Sequence, residues 1–419
     1  IDDASYPFLN LIHNKSDYFS NCHSLGDNTG TIFPQLLSST YLNLIPYKKH
    51  DKATETNVMC QIAKPRISIA ETLKENGYKT YSFQTSPSLS PFFGYDKGFD
   101  VFNYVNPHSN SSLPFLSYFY KKPYTDAKKL NEFVKNNELE SPFFLWIHYN
   151  DVHEPYWEAK FPRFLSDFMW HKYIKRPSKS DLADLNLNSI GNKTIKKFKN
   201  LYKKQVEYVD KHLYSLFVES GKFNMDDSLF ILTGDHGQAL GEHNQWGHGY
   251  GVLPINPLSN VPLYISKPNQ EVSKKNNNLC SLLDVVPTIC DIMDLPILEI
   301  YDGVSLLDNS IKDRRHLVWS NTLDFDNSKF LIRMIKDSYI FWQDDMNFKE
   351  PRIYDIKNNE LRIVDDNNLM TEFKNLAAEH VDYIREKQLK YNTPSNFKNK
   401  LEDKLDPKVY DALKALGYV

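Results

Sequence analysis

The residues most able to do chemistry lie in SLFILTGDHGQALGEHNQWGHGYG, residues 228–251. Leu229 to Leu232 read as a short buried strand between Asp226-Asp227 and Gly234. Asp235 and His236 follow at its carboxyl end, where open α/β sheets place their ligands. His243 and His248 come next, in a loop punctuated by Gly237, Gly241, Gly247 and Gly249. A carboxylate with neutral imidazoles is a donor set for zinc, manganese or iron. The glycines at 247, 249 and 251 do not make a nucleotide loop, because no GK[ST] follows and no helix start is evident.

Three further stretches carry reactive side chains. Asp2 and Asp3 are adjacent acids, which repel unless a cation or hydrogen-bond donors lie between them; metal ligation and a solvated turn are both open. Gly26 to Thr31, GDNTGT, is a polar turn ahead of the helical pattern IFPQLLS. A hydroxyl there serves as a helix cap or a nucleophile, and local sequence does not choose between them. Tyr149 to Tyr156, following FFLWIH, groups His148, Asp151 and His153 after a strand. His13, His23, His50 and His108 have no constellation around them and read as structural.

Elements that position these groups follow from periodicity. An apolar-rich segment, Tyr6 to His13, opens a helix, and Tyr18 to Ser24 reads as a strand. Arg66 to Gly77 has helical spacing and a glycine stop, and Tyr78 to Gln84 then alternates as a strand. Phe143 to His148 is an uninterrupted apolar strand, as in a parallel sheet covered on both faces. Phe198 to Leu216 is a helix feeding the strand before Asp235, preceded by a polar, lid-like insertion at 178–200. Val261 to Ile265 is a strand, and Leu282 to Met293 a helix in which Pro287 marks a kink or a later start. From about residue 313 short strands take over, at 316–320, 330–334, 339–342 and 353–356, with a closing helix at 409–416. This predicts a layered α/β unit over 1–312 and a smaller α+β unit over 313–419.

Composition sets limits. With 419 residues, 41% hydrophobic and 14% aromatic, the chain can bury a large core. The formal net charge of −3, with Lys and Arg spread along the chain, leaves no footprint for nucleic acid. No apolar run approaches the ~20 residues of a membrane-spanning helix, and no signal peptide is visible. Ile1-Asp2-Asp3 reads as the end of a strand and its loop, so the start is expected to be truncated, which leans towards an extracytoplasmic or membrane-associated setting. Cys22, Cys60, Cys280 and Cys290 lack zinc-site spacing and read as buried apolar residues.

In their order, the phrases ISIAETLKENGYKTYSF, GYDKGFDVF, SPFFLWIHYNDVHEPY, LTGDHGQALGEH, VPLYI, LLDVVPTICDIMDLP, DGVSL and LKALGYV resemble the sulfatase-like branch of the alkaline phosphatase superfamily. The resemblance implies a large, mostly parallel sheet sandwiched by helices, with a smaller C-terminal unit. It implies one or two divalent metal ions, Zn, Mn or Ca, held by Asp235, His236 and by Asp2 or Asp3. Sulfatases proper carry a Cys/Ser-x-Pro-x-Arg nucleophile motif, and Cys22 and Cys60 lack such neighbours. The turn is closer to phosphoethanolamine transferases, where a threonine stands five residues before a proline and nine before a serine. Pro34 and Ser38 both select Thr29, with Thr31 the alternative nucleophile. His153, in the HxPY phrase, and His248, thirteen residues after Asp235, are implied ligands of the substrate phosphate or of a second metal. Gln238 stands where relatives often have Glu, so no acid-base role is assigned to it. The implied reaction is hydrolysis or transfer of a phosphate ester or phosphodiester group, on a lipid, glycan or small ester, through a phospho-threonine. Sulfate-ester hydrolysis and a catalytically silent binding module of the same fold are the alternatives.

Overall fold

The computed structural model describes residues 4–41, 65–104, 127–154, 156, 191–248, 256–322, 330–344, 350–356 and 361–391. Asp2, Asp3, Cys60, residues 178–190 of the insertion and the helix expected at 409–416 lie outside them.

Helix α1 (Pro7–Lys15) starts on a proline, whose missing N–H is no loss in a first turn. The next two amides, Phe8 and Leu9, donate to the Asp210 carboxylate at 3.0 and 2.8 Å. The single strand expected at 18–24 is two, β1 (Asp17–Phe19) and β2 (Cys22–His23). Ser20 breaks it: its amide donates to Asn276 O at 2.9 Å and its hydroxyl to Asn277, turning the chain into a second sheet.

Helix α2 (Thr29–Ser38) follows, then α3 (Ile69–Glu75), whose start is fixed by a capping box of Ser68 and Glu71. Strand β3 (Lys79–Gln84) pairs in parallel with β4 (Val101–Tyr104) and, beyond α4 (Ala127–Asn136), with β5 (Phe143–His148). The β5 side chains are half-buried rather than enclosed on both faces as the apolar run suggested.

Helix α5 (Asn192–Tyr214) begins inside the stretch expected to be an insertion. Ile195 and Phe198 lie on the same face as Leu201 and Tyr202, so the apolar stripe extends through the Lys-rich segment. Strand β6 (Phe230–Thr233) comes next, then the hairpin of β7 (Ala239–Leu240) with β8 (Trp246–Gly247), and the short helix α6 (Asn256–Ser259). Strands β9 (Leu263–Ser266), β10 (Lys275–Asn276) and β11 (Cys280–Ser281) precede a 3-10 turn at Leu282–Asp284 and helix α7 (Val285–Ile292). Pro287 falls in the first turn of α7, so it marks the later start.

Among the described residues the α/β part holds more than one sheet. The order β4-β3-β5 is wholly parallel, as expected. The sheet β10-β1-β9-β6 is mixed: β1 and β10 are parallel, and β9 is antiparallel to both β1 and β6. Antiparallel neighbours need no crossover helix, and the chain from β6 to β9 is instead occupied by the histidine loop. The largest core cluster joins α2 to this layer through Ile32, Phe33, Leu36 and Leu263.

The C-terminal strands β12 (Leu317–Thr322), β13 (Phe330–Lys336), β14 (Tyr339–Asp344), β15 (Arg352–Asp355) and β16 (Arg362–Ile363) form an antiparallel meander. Helix α8 (Asn367–Lys390) packs Phe373 and Ala377 on its Ile332, Met334 and Phe341. No helix among the described residues is long and apolar enough to cross a membrane.

Candidate active site

Gly234, Asp235 and His236 leave the end of β6 and turn immediately against α6. The amides of Gly237 and Gln238 donate to Leu258 O and Pro257 O at 2.7 and 2.9 Å. A Cβ on Gly237 would lie 2.0 Å from Pro257 O, so only glycine permits this approach.

Asp235 meets Thr29 here. Thr29 is the first residue of α2, and its Oγ1 donates to Asp235 Oδ2 at 2.8 Å across 206 residues of sequence. The N-cap is Asn28, whose side chain accepts from the Thr31 amide at 3.1 Å. Thr29 is therefore released from capping. Thr31 Oγ1 instead donates to Asn28 O at 3.0 Å, and Ser38 Oγ to Pro34 O at 2.5 Å, so neither hydroxyl is directed at Asp235. Helix α2 is seated on β5 by Phe33, whose ring lies 5.2 Å from Trp146 and edge-on to His148 at 5.0 Å.

Three imidazoles gather beside this pair. The His236 ring centroid lies 4.3 Å from that of His248, which lies 4.7 Å from that of His153. His236 Nδ1 donates to Gly237 O at 2.8 Å, and His153 Nδ1 to Glu154 O at 2.5 Å. His248 Nδ1 is 2.8 Å from Gln238 Oε1. An Nδ1 that faces a carbonyl or amide oxygen must carry a proton, which leaves Nε2 of each ring as the nitrogen able to ligate a metal. Gln238 Nε2 in turn donates to Glu154 Oε2 at 2.6 Å, and Glu154 is buried. Glu154 also lies against Gly247, where a Cβ would come within 2.9 Å of Oε2 and where φ is +77°.

Burial by itself would raise the Asp235 carboxyl. The His236 and His148 imidazoles, the Thr29 hydroxyl and the His236 amide outweigh it and hold the group below the usual carboxylate range. Asp235 is accordingly an anion and a poor proton acceptor. Burial pushes the His148 imidazole down, against the pull of Asp235.

As metal donors, Asp235 Oδ2 and His236 Nε2 stand 3.7 Å apart, near the spacing of two ligands on one ion. Among the described residues no group of three or more His, Cys, Asp or Glu side chains converges to hold a metal. The donor types fit a divalent cation, and Asp2 and Asp3, the acids expected beside them, lie outside the described residues.

Other sequence-flagged residues separate from the cluster. Asp151 Oδ1 accepts from the Ala127 amide at 3.3 Å, at the start of α4. His243 sits in a left-handed turn (φ 49°) and makes no ring contact with the three histidines. Glu154 was not singled out by sequence, and its only signal was adjacency to His153. A cleft lined by His23, Gly26, Ser259, Trp319 and Arg333 opens towards the C-terminal sheet, and none of Thr29, Asp235, His236 or His248 lines it.

The sulfatase family profile matches residues 2–295. A curated arylsulfatase of Clostridium perfringens is 24% identical over 216 residues, 47% of this chain and 43% of the relative. Bovine arylsulfatase K is 26% identical over 210 residues, 48% of this chain and 36% of the relative. The matched stretches thus span less than half the length of these curated relatives. Among solved structures, the phosphonate monoester hydrolase of Silicibacter pomeroyi superposes with a TM-score of 0.65 at 16% identity, covering 91% of this chain and 90% of its own. A structure described as a protein in the alkaline phosphatase superfamily, from Vibrio parahaemolyticus, gives 0.55 at 14% identity, covering 93% and 83%. With the family profile running through β1, the Thr29 helix and the Asp235-His236 loop, the chain belongs to the sulfatase family.

Proposed function

We propose that the chain is a metal-dependent hydrolase or transferase of phosphate esters or phosphodiesters, with Thr29 as nucleophile. The observation that carries this is the 2.8 Å contact between Thr29 Oγ1 and Asp235 Oδ2, at a helix start where another residue does the capping. A divalent cation, Zn, Mn or Ca, held by Asp235, His236 and an acid at Asp2 or Asp3, would stabilise the Thr29 alkoxide.

Asp235 orients the hydroxyl lone pair by accepting its hydrogen bond. Thr29 Oγ loses its proton to solvent and forms a bond to phosphorus as the bond to the leaving oxygen breaks, and the leaving alkoxide takes up a proton from solvent to depart as the alcohol. The amino end of α2 faces the charge that develops there, a favourable placement for an anion. The phospho-threonine ester is released to water or to an acceptor hydroxyl, which restores the Thr29 hydroxyl. His153 and His248 face the transferred group. Their Nδ1-protonated tautomers favour the second-metal role over direct donation to phosphate oxygens.

Sulfate-ester hydrolysis is the second reading, favoured by the names of the curated relatives. Aryl phosphodiester, phosphomonoester and sulfate-ester substrates assayed with each metal separate the two. Thr29→Ala is expected to abolish turnover while metal is retained. Near-parental activity would remove Thr29 as nucleophile, sulfate-ester cleavage alone would sink the first reading, and absent metal binding would favour a silent scaffold.

A further inference from the structure

We infer that Arg333, on the C-terminal sheet, is a positioning residue for Thr29 and acts through Asp27; the inference rests on the reading of Thr29 as nucleophile. Arg333 lies on β13, and its Nη1 donates to Asp27 Oδ2 at 3.0 Å, with the two side chains only 5% and 7% exposed. Asp27 stands two residues before Thr29, immediately ahead of the Asn28 cap.

The sheet holds the guanidinium from both sides. Trp319 and Trp342 are the register partners of Arg333 on β12 and β14. The charge lies 4.5 Å over the Trp319 ring and 5.8 Å from that of Trp342, a cation–π arrangement that fixes its plane. Trp319 also limits the loop: a Cβ on Gly26 would lie 3.3 Å from its ring and 2.9 Å from Thr31 Oγ1. The segment from Gly26 to Thr31 is therefore clamped between an ion pair and an indole, both supplied by the C-terminal sheet.

A buried ion pair is a poor source of net stability, because desolvation offsets its attraction; its best-attested use is to fix one arrangement among alternatives. The arrangement fixed here is the start of α2, and a misplacement of about 1 Å at a reacting group costs on the order of a hundredfold in rate. Arg333 does not reach the reacting atoms. Its effect is on where Thr29 Oγ1 stands relative to Asp235.

The test uses the full chain with Arg333→Lys, Arg333→Met, Asp27→Asn and the double variant Asp27→Asn/Arg333→Met. Turnover is measured on whichever of 4-nitrophenyl phenyl phosphate and 4-nitrophenyl sulfate the parent hydrolyses. Melting temperature and hydrogen–deuterium exchange of residues 24–33 are recorded alongside. Each neutral variant is expected to lower kcat about tenfold or more with KM within about twofold. Arg333→Lys should recover part of the loss, the double variant should be no worse than the poorer single one, and exchange should rise locally. Unchanged kcat in the folded fraction, a loss confined to KM, or unchanged exchange at 24–33 would overturn the inference. If Arg333→Met does not fold, Arg333→Lys and Asp27→Asn carry the same comparison. Thr29→Ala keeps the two readings apart: if it stays active, the nucleophile assignment fails, while exchange at 24–33, which needs no turnover, still decides whether the pair holds the loop.

Discussion

Gln238 holds His248 through its amide oxygen, with Oε1 2.8 Å from the imidazole Nδ1. The orientation of the amide is forced from its other end. Nε2 lies 2.6 Å from Glu154 Oε2, and a carboxylate can only accept. Glu154 therefore sets which way Gln238 faces, and Gln238 sets which nitrogen of His248 carries the proton. Gln238→Leu is expected to lower kcat/KM roughly 10- to 100-fold, the usual cost of losing an outer partner of a ligand histidine, the role proposed for His248. Glu154→Gln should cost less, because a glutamine can still accept from Nε2. Steady-state kinetics with metal in excess checks both, and equal losses would mean the charge of Glu154 matters more than the orientation it imposes.

Asp284 has a structural role of the same kind. It is buried and accepts a bidentate pair of bonds from Arg314 Nη1 and Nη2 at 2.6 and 3.0 Å, and also the amides of Ser281 and Val304. Asp284→Ala would leave those donors and a half-buried guanidinium without an acceptor. A loss of up to about 3 kcal/mol is expected in urea unfolding, the low end of the range for breaking one side of a buried pair. Replacing Arg314 and Asp284 together by apolar residues should cost less than Asp284→Ala alone.

Much of this arrangement was legible in the sequence, and the failures share a cause. Asp235, His236 and His248 stood out because strand, glycines and ligands fall within one short stretch, and the imidazoles of His236 and His248 do meet. Thr29 is singled out only through the resemblance to phosphoethanolamine transferases, by its spacing to Pro34 and Ser38, although Ser38 itself bonds back to Pro34 and to Thr40. The Arg333–Asp27 contact spans 306 residues and carries no local signal. The start of α5 was obscured because Lys and Asn dominate composition there, while the apolar stripe of Ile195, Phe198 and Leu201 continues underneath. Interactions set by one run of chain are readable from periodicity and spacing, and those set by tertiary approach are not.

Two buried histidines make the fold acid-sensitive. Burial lowers His23 and His380 from an ordinary 6.5 to about 4. The unfolded chain therefore takes up these protons at higher pH than the folded one. Their stabilisation is fully present above about pH 6.5 and is lost as pH falls towards 4. The upper bound is on the order of 3 kcal/mol for each. Urea midpoints at pH 7.5, 6, 5 and 4.5 should fall steadily, and His380→Gln should flatten the profile. An unaltered slope in that variant would assign the acid sensitivity elsewhere.

Gly237 gives the sharpest test of how the Asp235-His236 loop is fixed. Its backbone lies so close to α6 that a Cβ would stand 2.0 Å from Pro257 O and 2.9 Å from Pro257 C, and neither is a flexible side chain. Gly237→Ala must therefore push the loop off α6 and weaken the bonds from the Gly237 and Gln238 amides to Leu258 O and Pro257 O. Asp235 and His236 precede this contact directly, and Gln238, which orients His248, follows it. One methyl group should thus disturb both sides of the site. The expected result is a fall in kcat of about a hundredfold or more, with weaker metal binding and a smaller relative change in unfolding midpoint. Gly221→Ala is the control for added bulk: it has open space around it, and its positive φ predicts a stability loss without a change in kcat. Parental kcat in Gly237→Ala would show that the loop is held by its histidine contacts and not by its approach to α6.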